Sequence, residues 1–536
     1  MNGRRNDNRE EFVMRSTLRT GVCFGLATAF LGTLASAETT LRWADPLDIY
    51  SLDPYSYGST SNLAFLNHIY DGLVRYTPEF EVVPALATKW ELIDNKAWRF
   101  HLRQGVKFQN GAEFNADDVV ASLNRASHPK SPLRGNIPLF AGVTKVDDFT
   151  VDVAVKSPST LFLNDMTNIF MFDAGWLEDN DALEPTDVSA QIEGFATYNT
   201  NGTGAFILES RVPDSKTVLV VNDDWWDEKQ HNIDRIEFTP ITSASTRTSA
   251  LLSGEIDLSS DAPLQDLERL SAQPNLKVVK RTQLRTIMLG MHREEKLDDG
   301  RDNFFNDLRV RQAIDMSIDR ELIAERVMRG LARPAGTLVA PEIPGFSEEI
   351  NELTPVDVDK AKALLTEAGA MGAEFTLVCS NNEYVNSEEV CSALISMFSR
   401  IGLKPTLDSG PSSIQAPKRN SGKTDMYLMG WANEPTLDAY SLLIQVLHTK
   451  EGEAGVANRG GWSYPELDAM VAEAALEQDR ETRLAIENKA LKLARDEIIM
   501  MPLFQIPMAW AMSDKVTEVS IGADNKARHW LTRMAE

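Results

Sequence analysis

Seven histidines stand singly, at positions 68, 101, 128, 231, 292, 448 and 529, and none has a second histidine four residues away. Zinc held on one helix face needs that spacing, as in His-Glu-x-x-His, so imidazole-based metal catalysis has no anchor here. Gly422-Lys423-Thr424 looks like the end of a phosphate loop, yet the position that requires the upstream glycine is Pro417. Proline fixes φ and donates no amide proton, which disqualifies the loop. Gly202-Thr203-Gly204 lacks a third glycine, with Ile207 in its place, and no Gly-x-Ser-x-Gly elbow occurs. Adjacent carboxylates such as Asp117-Asp118 and Asp223-Asp224 are common in so acidic a chain and single out no acid–base pair. These types and spacings point to a molecule that binds rather than transforms. No catalytic residue, metal site or cofactor is assigned.

The elements that would position a binding site are legible in the second half of the chain. Ile236-Glu237-Phe238 alternates as a strand, Ser245 to Leu252 has helical spacing and stops at Gly254, and Ile256-Asp257-Leu258 resumes strand character. The rhythm returns later: a helix from Asp357 to Ala368 ending at Gly369, a strand Phe375 to Cys379, and a helix capped by Ser387 and ending at Gly402. Thr406-Leu407 and Met426 to Met429 follow as strands. Strand, helix and strand in this order mean parallel crossovers, and the fold class is α/β. Between the two regions, Asn306 to Gly330 reads as a helix pair with Asp319 capping the second helix. Arg309 and Arg311 flank an apolar stripe and read as surface charges or partners of Asp307 and Asp315. Trp43 to Tyr198 differs, with short strands such as Trp98 to Leu102 and a hairpin turn at Asn110-Gly111, and predicts a more antiparallel unit.

Residues 1–37 read as a secretory signal: Arg15 and Arg19, an apolar run from Thr20 to Leu34, and the small-residue site Ala35-Ser36-Ala37. Met14 is a second candidate start. Asn6-Asp7-Asn8 after Arg4-Arg5 argues against twin-arginine export, and Cys23 lies too early in the apolar run for a lipid anchor. No later stretch approaches the ~20 apolar residues of a membrane span, so the expected location is an extracytoplasmic space, the periplasm. Formal charge is −25, or −27 once residues 1–37, with five Lys/Arg and three Asp/Glu, are set aside. That sign repels nucleic acid and anionic lipid. Cys379 and Cys391 remain after Ala37; in an oxidising compartment they can pair, or they can stay two buried thiols, and the sequence leaves both open.

Across nearly the whole chain the segments resemble the extracytoplasmic solute-binding proteins of dipeptide, oligopeptide and nickel ABC importers. The likeness rests on Ser51-Leu52-Asp53-Pro54, Ile69-Tyr70-Asp71-Gly72-Leu73-Val74, Pro84-Ala85-Leu86-Ala87 with Trp90, and Phe100 to Phe108 followed by Asn110-Gly111. It continues in Phe114 to Val119, Gly202 to Phe206, Leu251 to Asp257, Phe305 to Ile314, Gly430-Trp431 and Met501-Pro502-Leu503-Phe504. The resemblance implies a two-lobed periplasmic-binding-protein fold with a hinge. The first lobe would be 38–77 with 202–283 and 504–536, an extra domain 78–201, and the second lobe 284–503. It implies capture of a peptide or peptide-like solute in the cleft by a monomer, and delivery to an inner-membrane ABC permease.

In peptide-binding relatives a carboxylate a few residues after the Gly-Trp pair accepts the ligand's amino group. Here the segment reads Gly430-Trp431-Ala432-Asn433-Glu434-Pro435-Thr436-Leu437-Asp438, shorter than in dipeptide binders, so Asp438 and Glu434 are the candidates. Trp431 follows a strand at the end where α/β sheets present their ligand crevice. Arg285 is placed to meet a ligand carboxylate, and Tyr384 and Asn386 lie in the loop before the helix at Ser387, whose amides suit a polar ligand. Opines, oligosaccharides and metal chelates are alternative ligands on the same fold; a secreted hydrolase or a periplasmic chaperone is the alternative of another class. A chain beginning at Glu38 is expected to be soluble without detergent, and aggregation relieved only by detergent would contradict that.

Overall fold

The computed structural model describes residues 38–535 apart from Asp298, Lys423 and Glu453; the expected signal segment lies outside the described residues. The main sheet is built, in chain order, from β1 (Thr40–Asp45), β2 (Phe206–Val212), β3 (Lys216–Val221), β4 (Arg235–Pro240) and β5 (Leu258–Ser259). It continues with β6 (Leu276–Met291), β7 (Glu374–Ser380), β8 (Lys404–Gly410), β9 (Met426–Trp431) and β10 (Met500–Ser513). The spatial order is β8-β7-β9-β6-β10-β5-β1-β4-β3-β2, with the short strand Arg333–Pro334 also paired to β10.

The strand–helix rhythm in the sequence produced two parallel sets. One is β4-β1-β5, with the helix Ala244–Ser253 crossing from β4 to β5; the other is β8-β7-β9, crossed by Ser387–Arg400 and Ser412–Asn420. Between them run β6 and β10, antiparallel to each other, whose length the sequence did not announce. In β6 the first eight residues are exposed or half-buried apart from Leu276, while the last eight are almost wholly buried, so no single period marks the strand. Its register shifts twice: Thr282 faces Pro507 and the next pair is Thr286 with Gln505, and then Ile287 faces Phe504 while Met288 faces Pro502. At the first shift the residues between the two pairs are 283–285 on β6 and Ile506 alone on β10. Three residues of β6 therefore oppose one residue of β10, which is a bulge that bends and twists the ladder.

The expected antiparallel unit contains a four-stranded sheet, Ala87–Ile93, Ala97–Leu102, Thr150–Val155 and Phe140–Asp147 in spatial order. Its helix Ala116–Ala126 opens with Asn115 as cap and Asp118 closing the capping box. The Leu52-Asp53-Pro54 motif has a structural cause here. Asp53 takes both Nη atoms of Arg125 at 2.5 and 2.6 Å, and both side chains are almost fully buried. Two of the lone histidines meet in the core. His68 Nδ1 lies 2.9 Å from the Phe65 carbonyl and Nε2 accepts from the His529 amide, while burial lowers the ring's pKa to about 4.

Two local expectations change and one open choice is settled. Arg311 is buried, donating to the carbonyls of Phe305, Asn306 and Glu497, because the helix Leu308–Ser317 turns it inward; Arg309 does pair with Asp307. Ser387 does not cap its helix: Asn386 holds the N-cap position at φ 52°, and the Ser387 hydroxyl bonds the Ser380 carbonyl. Cys379 and Cys391 are joined as a disulfide with Cα atoms 6.6 Å apart, tying β7 to that helix. No helix among the described residues is long and apolar enough to cross a membrane.

Removing one partner of a buried, doubly bonded ion pair leaves an uncompensated charge. Asp53→Ala is therefore expected to lower stability by about 3–5 kcal/mol in urea unfolding. A loss below ~1 kcal/mol would show that the pair contributes no more than an exposed one.

Candidate functional site

β9 brings the Gly-Trp pair to its C-terminal end, where the chain leaves the sheet. Gly430 has no side chain for a local reason: a Cβ there would sit 2.9 Å from Arg285 Cδ and 2.9 Å from Ile287 Cδ1. The absent side chain lets the aliphatic stem of Arg285, from the neighbouring β6, cross over the strand. The Gly430 amide donates to the Tyr384 hydroxyl at 2.9 Å, and that hydroxyl donates to Glu383 at 2.9 Å. Burial, then Glu383, raises the Tyr384 pKa, so the phenol stays protonated and available as a donor.

These groups wall a cavity of about 270 Å³, bounded also by Thr60, Arg419, Met429, Trp431, Ala432, Asn433, Glu434 and Arg459. Several of its polar groups have no partner. The Trp431 indole N–H, both polar atoms of the fully buried Asn433 side chain, and Arg419 Nε make no hydrogen bond. Buried polar atoms are normally paired, because an unmade bond forfeits the desolvation cost of the group. These atoms belong to residues that border the cavity but are themselves buried against protein.

The charges divide into paired and unpaired. Glu383 takes a two-point bond from Arg419, at 2.8 and 3.0 Å. Glu434 receives the Thr60 hydroxyl at 3.3 Å and lies 3.5 Å from Lys526 Nζ. Arg459 bonds Asn420 and approaches the Met429 sulfur but meets no carboxylate among the described residues; burial, then Arg419, lowers its pKa. Arg285 has only a 3.5 Å approach to the Gly430 carbonyl.

Of the residues the sequence singled out, the structure brings Trp431, Glu434, Arg285 and Tyr384 to this cavity. Asp438 stands apart. It caps the short helix Ala439–Leu442 through the Tyr440 amide and pairs with Arg483 at 3.0 Å, so both its oxygens have internal partners. It borders a different cavity, of about 510 Å³, with Phe80, Leu161 and Arg483. Asn386 also lies elsewhere, donating to the Val327 carbonyl and so fixing the start of its helix. Arg419, Arg459, Asn433 and Thr60 were not foreseen: they come from four separate segments with no shared motif.

The loop after Trp431 is gripped from outside. Glu434-Pro435 is a cis peptide, the Tyr76 hydroxyl lies 3.0 Å from the carbonyls of both Pro435 and Thr436, and Asn164 donates to Thr436. The Thr436 hydroxyl donates to Asp165, a carboxyl whose pKa burial pushes well above its usual range. Among the described residues no group of three or more His, Cys, Asp or Glu side chains is placed to hold a metal.

A two-lobed α/β fold with a polar cavity at the strand ends defines a solute-binding protein. The chain belongs to the bacterial extracellular solute-binding proteins, family 5, whose description matches residues 81–454. It is 26% identical to the periplasmic murein peptide-binding protein of Escherichia coli K12, over 85% of each chain. With the glutathione-binding protein of Salmonella typhi it shares 25% over 92% of this chain and 94% of that one. An ABC transporter-associated periplasmic binding protein from Helicobacter pylori, in complex with the peptide STSA, superposes with a TM-score of 0.78 at 23% identity, covering 93% and 98%.

Because Gly430 makes room for Arg285, Gly430→Ala is expected to cost about 1–3 kcal/mol of stability by overpacking. Gly135→Ala, where a Cβ meets nothing within 4 Å, is the control and should melt like wild type. Equal melting temperatures for the two variants would refute the packing.

Proposed function

We propose that the chain is the substrate-binding protein of an ABC importer, capturing a peptide-like solute in the cavity at the end of β9 and delivering it to an inner-membrane permease. It works as a periplasmic monomer that returns its ligand chemically unchanged. The observation that carries the reading is the cavity itself, bordered by residues from distant segments, among them Arg285 and Arg459, which meet no carboxylate among the described residues. Relatives named for murein peptide and glutathione support a peptide-like ligand.

In this reading 38–77 with 202–283 and 504–536 form the first lobe, 78–201 the extra domain and 284–503 the second lobe. The bulge at Thr282–Thr286 opposite Gln505–Pro507 is the hinge. Thr60 and Lys526 then reach Glu434 from the first lobe, and Tyr76, Asn164 and Asp165 reach Pro435 and Thr436 from the first lobe and extra domain. Residues 434–436 act as a latch that makes closure favourable, and a ligand bridging Arg285, Trp431 and Asn433 to the Thr60 side adds to it. Asp438 supports this latch through Arg483 rather than touching ligand.

The test is to purify the protein, denature it and identify the released compound by mass spectrometry. Adding that compound back at a hundred times its Kd should stabilise the fold by about 2.7 kcal/mol and leave it chemically intact. Turnover of the compound, lost on a single side-chain change, would overturn the assignment.

A further inference from the structure

The cavity holds two guanidinium groups more than its own carboxylates neutralise. Elsewhere in the fold most buried arginines meet a carboxylate, Arg125 with Asp53, Arg320 with Asp315, Arg483 with Asp438 and Arg528 with Asp524, while Arg247 spends its donors on the carbonyls of Ile241, Thr242 and Asp261. In the cavity Glu383 is taken by Arg419, and Glu434 by Lys526 and Thr60. Arg285 and Arg459, both half-buried, have neither a carboxylate nor a full set of carbonyls. A guanidinium partly withdrawn from water with open donors favours an anionic partner.

The other lining side chains supply no counter-charge: Trp431 and Asn433 are neutral, and the carboxylates of Glu383 and Glu434 already have partners. What is missing from the cavity is a set of acceptors bearing negative charge. This excess stands inside a chain of formal charge −25, so it is local and does not follow from composition.

We infer that the solute is an anion: a peptide-like acid whose carboxylates outnumber its basic groups, held by Arg285 and Arg459, with no free amine seated on Glu434. The inference rests on the solute-binding reading and replaces the expectation of a carboxylate from this protein meeting a cationic ligand group. Guanidinium forks fit carboxylates in two-point bonds, and the neutral indole and amide donors suit the remaining carbonyl oxygens. Arg285 is pre-positioned because its stem lies across Gly430. Arg459 is anchored at its Nε by Asn420, which leaves the rest of its fork for the ligand.

The experiment offers the purified protein an equimolar pool of the dipeptides of Asp, Glu, Ala, Gln, Lys and Arg, with and without excess succinate. Captured species are read by mass spectrometry after denaturation. Enrichment of net-negative peptides, displaced by succinate, is expected; inorganic phosphate at the same concentration should displace less. Capture that ignores charge or favours Lys and Arg peptides overturns the anion inference while the solute-binding reading stands, and stronger displacement by phosphate overturns the carboxylate assignment. If neither the pool nor any co-purifying compound is captured, both readings fail. For the best-captured peptide, Arg459→Gln and Arg285→Gln should each weaken calorimetric affinity by about thirty-fold or more, with Arg459→Lys recovering part of the loss. Affinities within about threefold of wild type for both glutamine variants, at unchanged melting temperature, would remove both arginines from the site.

Discussion

The pairing of β6 with β10 is the constraint on which the rest depends. These two antiparallel strands carry one parallel set, β4-β1-β5, on one side and the other, β8-β7-β9, on the opposite side. The sheet is continuous, yet its ladder is interrupted between Thr282 and Thr286. Where ladder hydrogen bonds are missing, bending costs least, which is why the proposed hinge is put there. Arg285 lies within the irregularity, and Trp431 ends the strand that pairs with β6 at Thr286, the first residue after it.

A second feature is the separation of structural from available charge. Asp53, Asp438, Asp524 and Glu383 are each satisfied by an arginine inside the fold and act as fixed joints. Near the Asp438–Arg483 pair, burial and then Asp438 push the pKa of Glu487 up, so this corner is kept from carrying two full negative charges on one arginine. The cavity beside Gly430 is the contrasting case, with cations and donors left open. In the proposed reading a ligand that completes them gains charge-assisted bonds in a low-dielectric setting.

Much of the fold was legible in the sequence, because crossover units announce themselves. The strands at 235–240, 374–380 and 426–431 and the helix ends at Gly254 and Gly369 follow directly from period and glycine placement. The long central strands did not, since β6 changes from half-exposed to buried along its length. At the site, Trp431, Glu434, Arg285 and Tyr384 were found by motif and strand end. Asp438 was expected to face the ligand; the structure gives both its oxygens internal partners, the Tyr440 amide and Arg483, forty-five residues later, a contact no one-dimensional pattern announces. Arg459 was invisible for the opposite reason. Its significance is a missing partner, and absence of a partner is a property of three-dimensional packing alone.

The central claim is that ligand binding closes two lobes about the β6–β10 irregularity. Spin labels at Val212→Cys and Ile414→Cys report on it directly, since Val212 is exposed at the end of the edge strand β2, Ile414 is exposed on the helix after the opposite edge strand β8, and Cys379 and Cys391 are already bonded to each other. Pulsed dipolar distances should be broad in protein stripped of ligand and should collapse to one shorter, narrow distribution when the co-purifying compound is restored. An identical distribution with and without saturating ligand would contradict the account.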